Sequence, residues 1–249
     1  MEREAHDEHL LERLELASFE PLENATNRQK CPKCDRNRKY YCYDCCIGLT
    51  PDIPKVVLPL QVHILKCIKE ARSKSSAVPI KVLAPDHSEV IGCLGEDRSV
   101  PEYPDTAVLV FPGENARSIP ELSTEELQKI KTAVFIDSTW NQTNSMLKDR
   151  VLSSMPMIKL ETHITTFWRY QSESKHSLAT IEAVYYFLVD FHREMFKRGL
   201  WEQDYAGEYD NVLWYYAFHY NLVQKVHSKK SHHGKLATKK PDYLKKIDK

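Results

Sequence analysis

Residues 133–144, AVFIDSTWNQTN, constrain the fold more than any other stretch of the chain. Ala133, Val134, Phe135 and Ile136 form a short apolar run that reads as a buried strand. The run breaks at Asp137-Ser138-Thr139-Trp140, and a helix-like segment begins directly after it. In open α/β sheets ligands bind outside the carboxyl ends of strands, so Asp137 and Trp140 stand where chemistry is expected. The same residues admit a plainer reading. Thr139 or Asn141 would cap the next helix, Asp137 would bind backbone, and Trp140 would fill core.

The surrounding chain supports an α/β class. Val56–Ile64, Ile80–Leu83, Ala107–Phe111 and a segment near Met157–Leu160 read as strands. Ser123-x-x-Glu126 has the capping-box spacing and predicts a helix starting near Ser123, and a further helix is expected near 141–152. Ile181, Val184, Leu188, Phe191 and Met195 recur at intervals of three and four, with Gly199 as the expected stop. Leu213, Tyr216, Tyr220 and Val223 repeat the pattern in a second long helix. Strands alternating with helices argue for a mainly parallel sheet. The expected organisation is an acidic segment (1–28), a cysteine module (29–50), a main domain (51–225) and a basic tail expected to be disordered (226–249).

Cys31-Pro32-Lys33-Cys34 and Cys42-Tyr43-Asp44-Cys45 are two C-x-x-C knuckles separated by seven residues. Four thiolates in this spacing are the set that tetrahedral zinc takes in closed structural sites. Cys46 is a neighbour that could substitute as fourth ligand, and a redox C-x-x-C is the competing reading. Seven cysteines, five of them between 31 and 46, point to a reducing compartment and a metal rather than a secreted disulfide framework. Cys67 and Cys93, each alone, are expected in the core. Arg36, Arg38 and Lys39 lie between the knuckles beside Tyr40, Tyr41 and Tyr43. Such a surface suits RNA phosphates and unstacked bases, or is simply a solvated basic loop.

No run approaches the length needed to span a bilayer, and MEREAHDEHL is too charged for a secretory signal. Formal net charge is zero, yet residues 1–20 carry seven acids and residues 225–249 nine lysines. A lysine tail of this kind suits phosphate contacts or nuclear import.

Asp137-x-Thr139-Trp140 at a strand end resembles the signature of the DTW-domain family, and FIDSTWNQTN is similar to its eukaryotic branch of tRNA-uridine aminocarboxypropyltransferases. The likeness runs through residues 29–225. It takes in the cysteine module, the Phe111-Pro112-Gly113 loop and the tract Leu178-Ala179-Thr180-Ile181-Glu182-Ala183, where Ala179 replaces the usual serine. The resemblance implies an α/β, SPOUT-like knotted domain with a small zinc-binding module in front. It implies S-adenosylmethionine as co-substrate, structural Zn2+, tRNA as partner, and the nucleus, with the cytoplasm as a second compartment. In the implied reaction, uridine N3 in the tRNA D-loop attacks the methionine Cγ of S-adenosylmethionine and methylthioadenosine leaves. Asp137, Thr139 and Trp140 would be catalytic, with Asp137 taking the N3 proton, steadying the sulfonium or orienting the substrate. Phe111, Pro112, Gly113, Leu178, Thr180 and Glu182 would bind the cofactor; Gly113 allows close backbone approach, and the helix start near 180 offers free N–H groups. Arg169 and Lys175 join Arg36, Arg38 and Lys39 as candidates for RNA phosphates. Two other functions stay open: an S-adenosylmethionine-dependent RNA methyltransferase, and a non-catalytic zinc-knuckle RNA-binding protein.

Overall fold

The computed structural model of the chain describes residues 9–93, 100–168 and 176–231. The first elements are α1 (Leu10–Arg13), α2 (Glu20–Glu23) and four two-residue strands, β1 (Gln29–Lys30), β2 (Asn37–Arg38), β3 (Tyr41–Cys42) and β4 (Ile47–Gly48). There follow β5 (Gln61–Cys67), α3 (Ile80–Leu83), β6 (Ser88–Cys93), β7 (Ala107–Val110), α4 (Thr124–Lys129) and β8 (Thr132–Asp137). The last are α5 (Trp140–Met146), α6 (Arg150–Ser154), β9 (Met157–Ile158), α7 (Thr180–Lys197) and α8 (Trp214–Ser231).

Five strands make one sheet in the order β6-β5-β8-β7-β9, and each neighbouring pair is parallel. The α/β expectation is met. Alternation along the central strands divides the sheet into two faces. Val62, Ile64, Ala133 and Phe135 belong to the core cluster that contains the α7 residues Ile181, Val184 and Phe187. Leu65, Cys67, Leu109 and Val134 turn the other way, towards Val151 and Leu152 of α6. Cys67 and Cys93 are both fully buried and face each other in register on β5 and β6, as core residues should.

The apolar stripe of α7 is buried as its spacing requires. Gly199 ends the helix at φ +68, where its N–H reaches Phe196 O at 2.8 Å and that of Leu200 reaches Met195 O at 2.9 Å. This is the Schellman pattern, and it needs a residue tolerant of positive φ. Ser123 caps α4: its Oγ accepts from Glu126 N, and Glu126 Oε2 accepts from Ser123 N at 2.7 Å.

Several expectations need correction. Ile80–Leu83 is a helical turn rather than a strand. Ile80, Val82 and Leu83, all buried around the half-buried Lys81, are too few to set a period, and Pro79, at φ −59, presets helical backbone before them. The first strand begins at Gln61, not Val56, because Pro59 has no N–H to give a ladder. Ser88–Cys93 is a strand that the sequence reading did not anticipate. The helix expected over 141–152 is two helices, with Asp149 capping the second through Val151 N at 2.8 Å.

The cysteine module leans on the start of α8. The Tyr40 ring meets Phe218 at 5.1 Å, and that of Tyr41 meets Tyr215 at 4.8 Å. Leu10 and Leu22 of the acidic segment join the main core, so that segment is packed where it is described. Among the described residues no helix is long and apolar enough to cross a membrane.

Candidate active site and metal centre

A cavity of about 840 Å³ opens at the carboxyl ends of β5, β7 and β8, where α7 begins. Lys66, Phe111 and Asp137 come from these strand ends, Ser75 and Ser76 from the loop before α3, and Thr180 from the first turn of α7. The residue that follows the apolar run thus sits where the α/β rule places ligands.

Asp137 is 8% exposed. Its Oδ2 accepts from Ser75 Oγ at 2.6 Å and its Oδ1 from Thr180 Oγ1 at 2.9 Å. Lys66, 3% exposed, places its ammonium 3.6 Å from Asp137 Oδ2. The register explains the meeting. Lys66 and Asp137 are partners across β5 and β8, two residues beyond Ile64 and Phe135, so both side chains turn towards α7. The plainer expectation, Asp137 bonded to backbone, is not what the structure shows; its partners are side chains. Lys66 and Ser75 were missed by the sequence reading. The only signal was a lysine inside the otherwise apolar VHILKC strand.

Thr139 is at the N-cap of α5, and its N–H donates to Gln142 Oε1 at 3.2 Å. It nevertheless lines the cavity, so capping and site position coincide. Trp140 is the first residue of α5; the placement of its ring lies outside what is described. Phe111, Pro112 and Leu178 also line the cavity. Gly113 does not; a Cβ there would meet Met157 Sδ at 2.5 Å, so packing already accounts for a glycine. Arg169 and Lys175 lie outside the described residues.

Glu182 is fully buried behind the wall and takes four hydrogen bonds. Its Oε1 accepts from Thr166 N at 2.7 Å and Thr166 Oγ1 at 2.8 Å. Its Oε2 accepts from Thr165 Oγ1 at 2.6 Å and Ala179 N at 2.7 Å. The carboxylate pins the 165–167 loop to the first turn of α7. Ala179 has no side-chain acceptor, so only the return half of a capping box forms here.

In the module, the ligand atoms of Cys31, Cys34, Cys42 and Cys45 all lie within 4.8 Å of one another, and the sulfurs of Cys34 and Cys42 are 3.6 Å apart. Ligands about 2.3 Å from a tetrahedral ion are roughly 3.8 Å from each other, so the spacing suits such a centre. Asp35 and Cys46, at φ 56 and 54, turn the chain just after each knuckle. Burial raises the Cys31 thiol, but the amides of Lys33 and Cys34 and neighbouring thiols outweigh it and bring it down to about 7. Cys45 is pushed up to about 12, by burial first and then by the thiols of Cys34, Cys42 and Cys31. A cation among the sulfurs would settle all four as thiolates. Cys46 is turned out of the cluster, its sulfur 3.4 Å from the Arg72 guanidinium. Arg38 lies over the Tyr43 ring at 4.0 Å and donates to Asp44 at 2.6 Å, which commits it to the module. Arg36 also reaches Asp44, at 3.0 Å, but remains exposed, and Lys39 lies 5.0 Å from the Tyr40 ring centre.

The family model of the DTW domain matches residues 28–224. The tRNA-uridine aminocarboxypropyltransferase 1 of Xenopus laevis is 35% identical, over 86% of this chain and 87% of that protein. Its namesake from Mus musculus is also 35% identical, over 87% and 84%. That from Homo sapiens is 34% identical, over 87% and 84%. No solved structure matches. The chain belongs to the DTW-domain family.

Proposed function

We propose that this protein transfers the 3-amino-3-carboxypropyl group of S-adenosylmethionine to N3 of a uridine in the tRNA D-loop. The observation that carries the reading is the Asp137–Thr139 strand end in the wall of an 840 Å³ cavity, in a chain 35% identical to a protein named tRNA-uridine aminocarboxypropyltransferase 1. The volume falls within the range of roughly 300–1,000 Å³ that small-molecule sites occupy.

The transfer forms the N3–Cγ bond and breaks Cγ–S, whose electron pair returns to sulfur and cancels the sulfonium charge. Methylthioadenosine leaves, and the N3 proton passes to water or to a basic side chain. Charge disappears along this path, so a cavity poor in water favours the neutralisation, while a carboxylate fixed beforehand at the methionine end of the donor serves to align it. Asp137 supports such a role because two hydroxyls hold its oxygens in place. Those bonds also argue against direct proton abstraction. His163 and His176 are among the residues lining the same cavity and are candidates for receiving the proton through water. Phe111, Pro112, Leu178 and Thr180 would enclose the donor. Zinc is the proposed occupant of the four-cysteine centre, with a structural role. The exposed Arg36, together with Lys39, would meet tRNA phosphates, and the nucleus is the proposed compartment.

The test is reaction of purified protein with tRNA and S-adenosylmethionine. Methylthioadenosine and aminocarboxypropyl-uridine in the digested tRNA are the expected products. S-Adenosylhomocysteine would instead identify a methyltransferase, and binding of tRNA without donor consumption a non-catalytic protein.

A further inference from the structure

We infer that Lys66 and Asp137 form a subsite for a zwitterionic α-amino-acid head group. The Lys66 ammonium would hold the carboxylate and the Asp137 carboxylate the α-ammonium. The inference rests on the proposed donor, whose methionine end carries these two charges.

Lys66 is a buried cation in the cavity wall. Its side chain is 3% exposed, yet among the described residues its ammonium reaches only Asp137 Oδ2 at 3.6 Å and Cys67 O at 3.5 Å. Both exceed the usual 2.7–3.2 Å of a direct N–H···O bond. A buried ammonium with three donors and no close acceptor is costly, because it has lost water and gained little in return. Lys66 lies in the cavity wall, so a ligand can supply what the protein does not. A carboxylate is the acceptor that best offsets a buried cation.

Strand register sets Lys66 beside Asp137 on one face of the sheet, giving a positive and a negative group side by side. An α-amino acid presents the opposite order, negative beside positive. Each Asp137 oxygen spends one lone pair on a hydroxyl, from Ser75 or Thr180, and keeps another for an incoming N–H. Uracil offers a carbonyl beside N3–H and could touch the same pair, but as a neutral group it would leave both buried charges poorly compensated. Lys74, the other lysine lining the cavity, is exposed and has water to satisfy it.

The experiment is calorimetric titration of the purified full chain with S-adenosylmethionine and with its decarboxylated analogue. Wild type should bind the first roughly tenfold to a hundredfold more tightly, the worth of one charge-assisted hydrogen bond. Lys66→Met should bind both alike and weakly, whereas Lys66→Arg should keep the preference. Should Lys66→Met fail to fold, as circular dichroism would reveal, the wild-type and arginine titrations decide. A wild type that binds S-adenosylmethionine without preferring its carboxylate overturns the subsite and leaves the donor reading intact. A wild type that binds neither compound overturns the donor reading, and the subsite with it. If Lys66→Met keeps the preference and loses only in KM for tRNA, Lys66 faces the base and the subsite is wrong.

Discussion

Replacing Glu182 by Gln separates two roles for this residue, cofactor ligand and latch. Its two carboxylate oxygens accept four hydrogen bonds in the core of the domain. A carboxamide keeps the shape but turns one oxygen into an NH2 donor. If the NH2 takes the Oε1 place, Thr166 N–H is orphaned; at Oε2, Ala179 N–H is orphaned. The threonine hydroxyls can rotate to accept, but a backbone amide cannot. One buried N–H without a partner costs about 1–3 kcal/mol. The two bonds that survive lose their charge assistance, at about 0.5–1 kcal/mol each. The sum is roughly 2–5 kcal/mol, and at 2–4 °C per kcal/mol for a domain of this size Tm should fall by at least about 4 °C. Thermal unfolding followed by circular dichroism measures it, with the exposed Glu114→Gln as a control within about 0.5 kcal/mol of wild type. A Tm within about 1 °C of wild type, with donor affinity alone reduced, would refute the latch and make Glu182 a direct ligand.

Asp137→Asn should lower transfer at least about a hundredfold while the far-ultraviolet dichroism of the fold persists; normal turnover in a protein that melts much earlier would mean that Asp137 only holds Ser75 and Thr180 together. One zinc per chain is expected from metal analysis of chelator-washed protein, and Cys42→Ser should both lose it and destabilise the module; no metal at all would sink the centre. The Glu126 carboxyl, held down to about 2 first by the Arg117 guanidinium and then by the Ser123 amide, should still be ionised at pH 3.5 by its carboxyl chemical shift. Because this folded-state value is depressed, its stabilising effect is complete above about pH 4.5 and is lost as pH falls towards 2, so a midpoint near 4.5 would contradict the pairing. Removing residues 232–249 keeps α8 whole but deletes six of the nine C-terminal lysines, and should flatten the salt dependence of tRNA binding without changing turnover at saturating tRNA; an unchanged slope would show that the tail makes no phosphate contact.

Where local signals act alone, the sequence was readable. Ser123 with Glu126 and Gly199 after a three-four stripe each contain their own explanation, and both ends appear where expected. The cysteine pairs are of this kind too, since four thiols at that spacing meet through a tight turn after each knuckle. Ile80–Leu83 was not readable, because four residues with three buried apolar side chains look the same in a strand or a helical turn, and only tertiary packing decides. Glu182 was read as a cofactor ligand at a helix start. That reading could not foresee that Thr166 and Thr165, sixteen and seventeen residues upstream, would occupy it.

The candidate site shows the same division in sharper form. Asp137 announces itself because it ends an apolar run, whereas Lys66 sits one residue before the end of its strand and is followed by Cys67. Nothing along the chain joins the two, since they are 71 positions apart and belong to strands separated by α3, β6, β7 and α4. Parallel pairing of β5 with β8 joins them, and the period of two then decides which way both side chains turn. A shift of one residue in that register would send Lys66 to the face occupied by Val151 and Leu152, into an apolar cluster. The charge of the site therefore depends on the sheet register, which the apolar residues Val62, Ile64, Ala133 and Phe135 fix by burying themselves against α7. The residues that determine the chemistry are few, but they are held in place by the packing of residues that take no part in it.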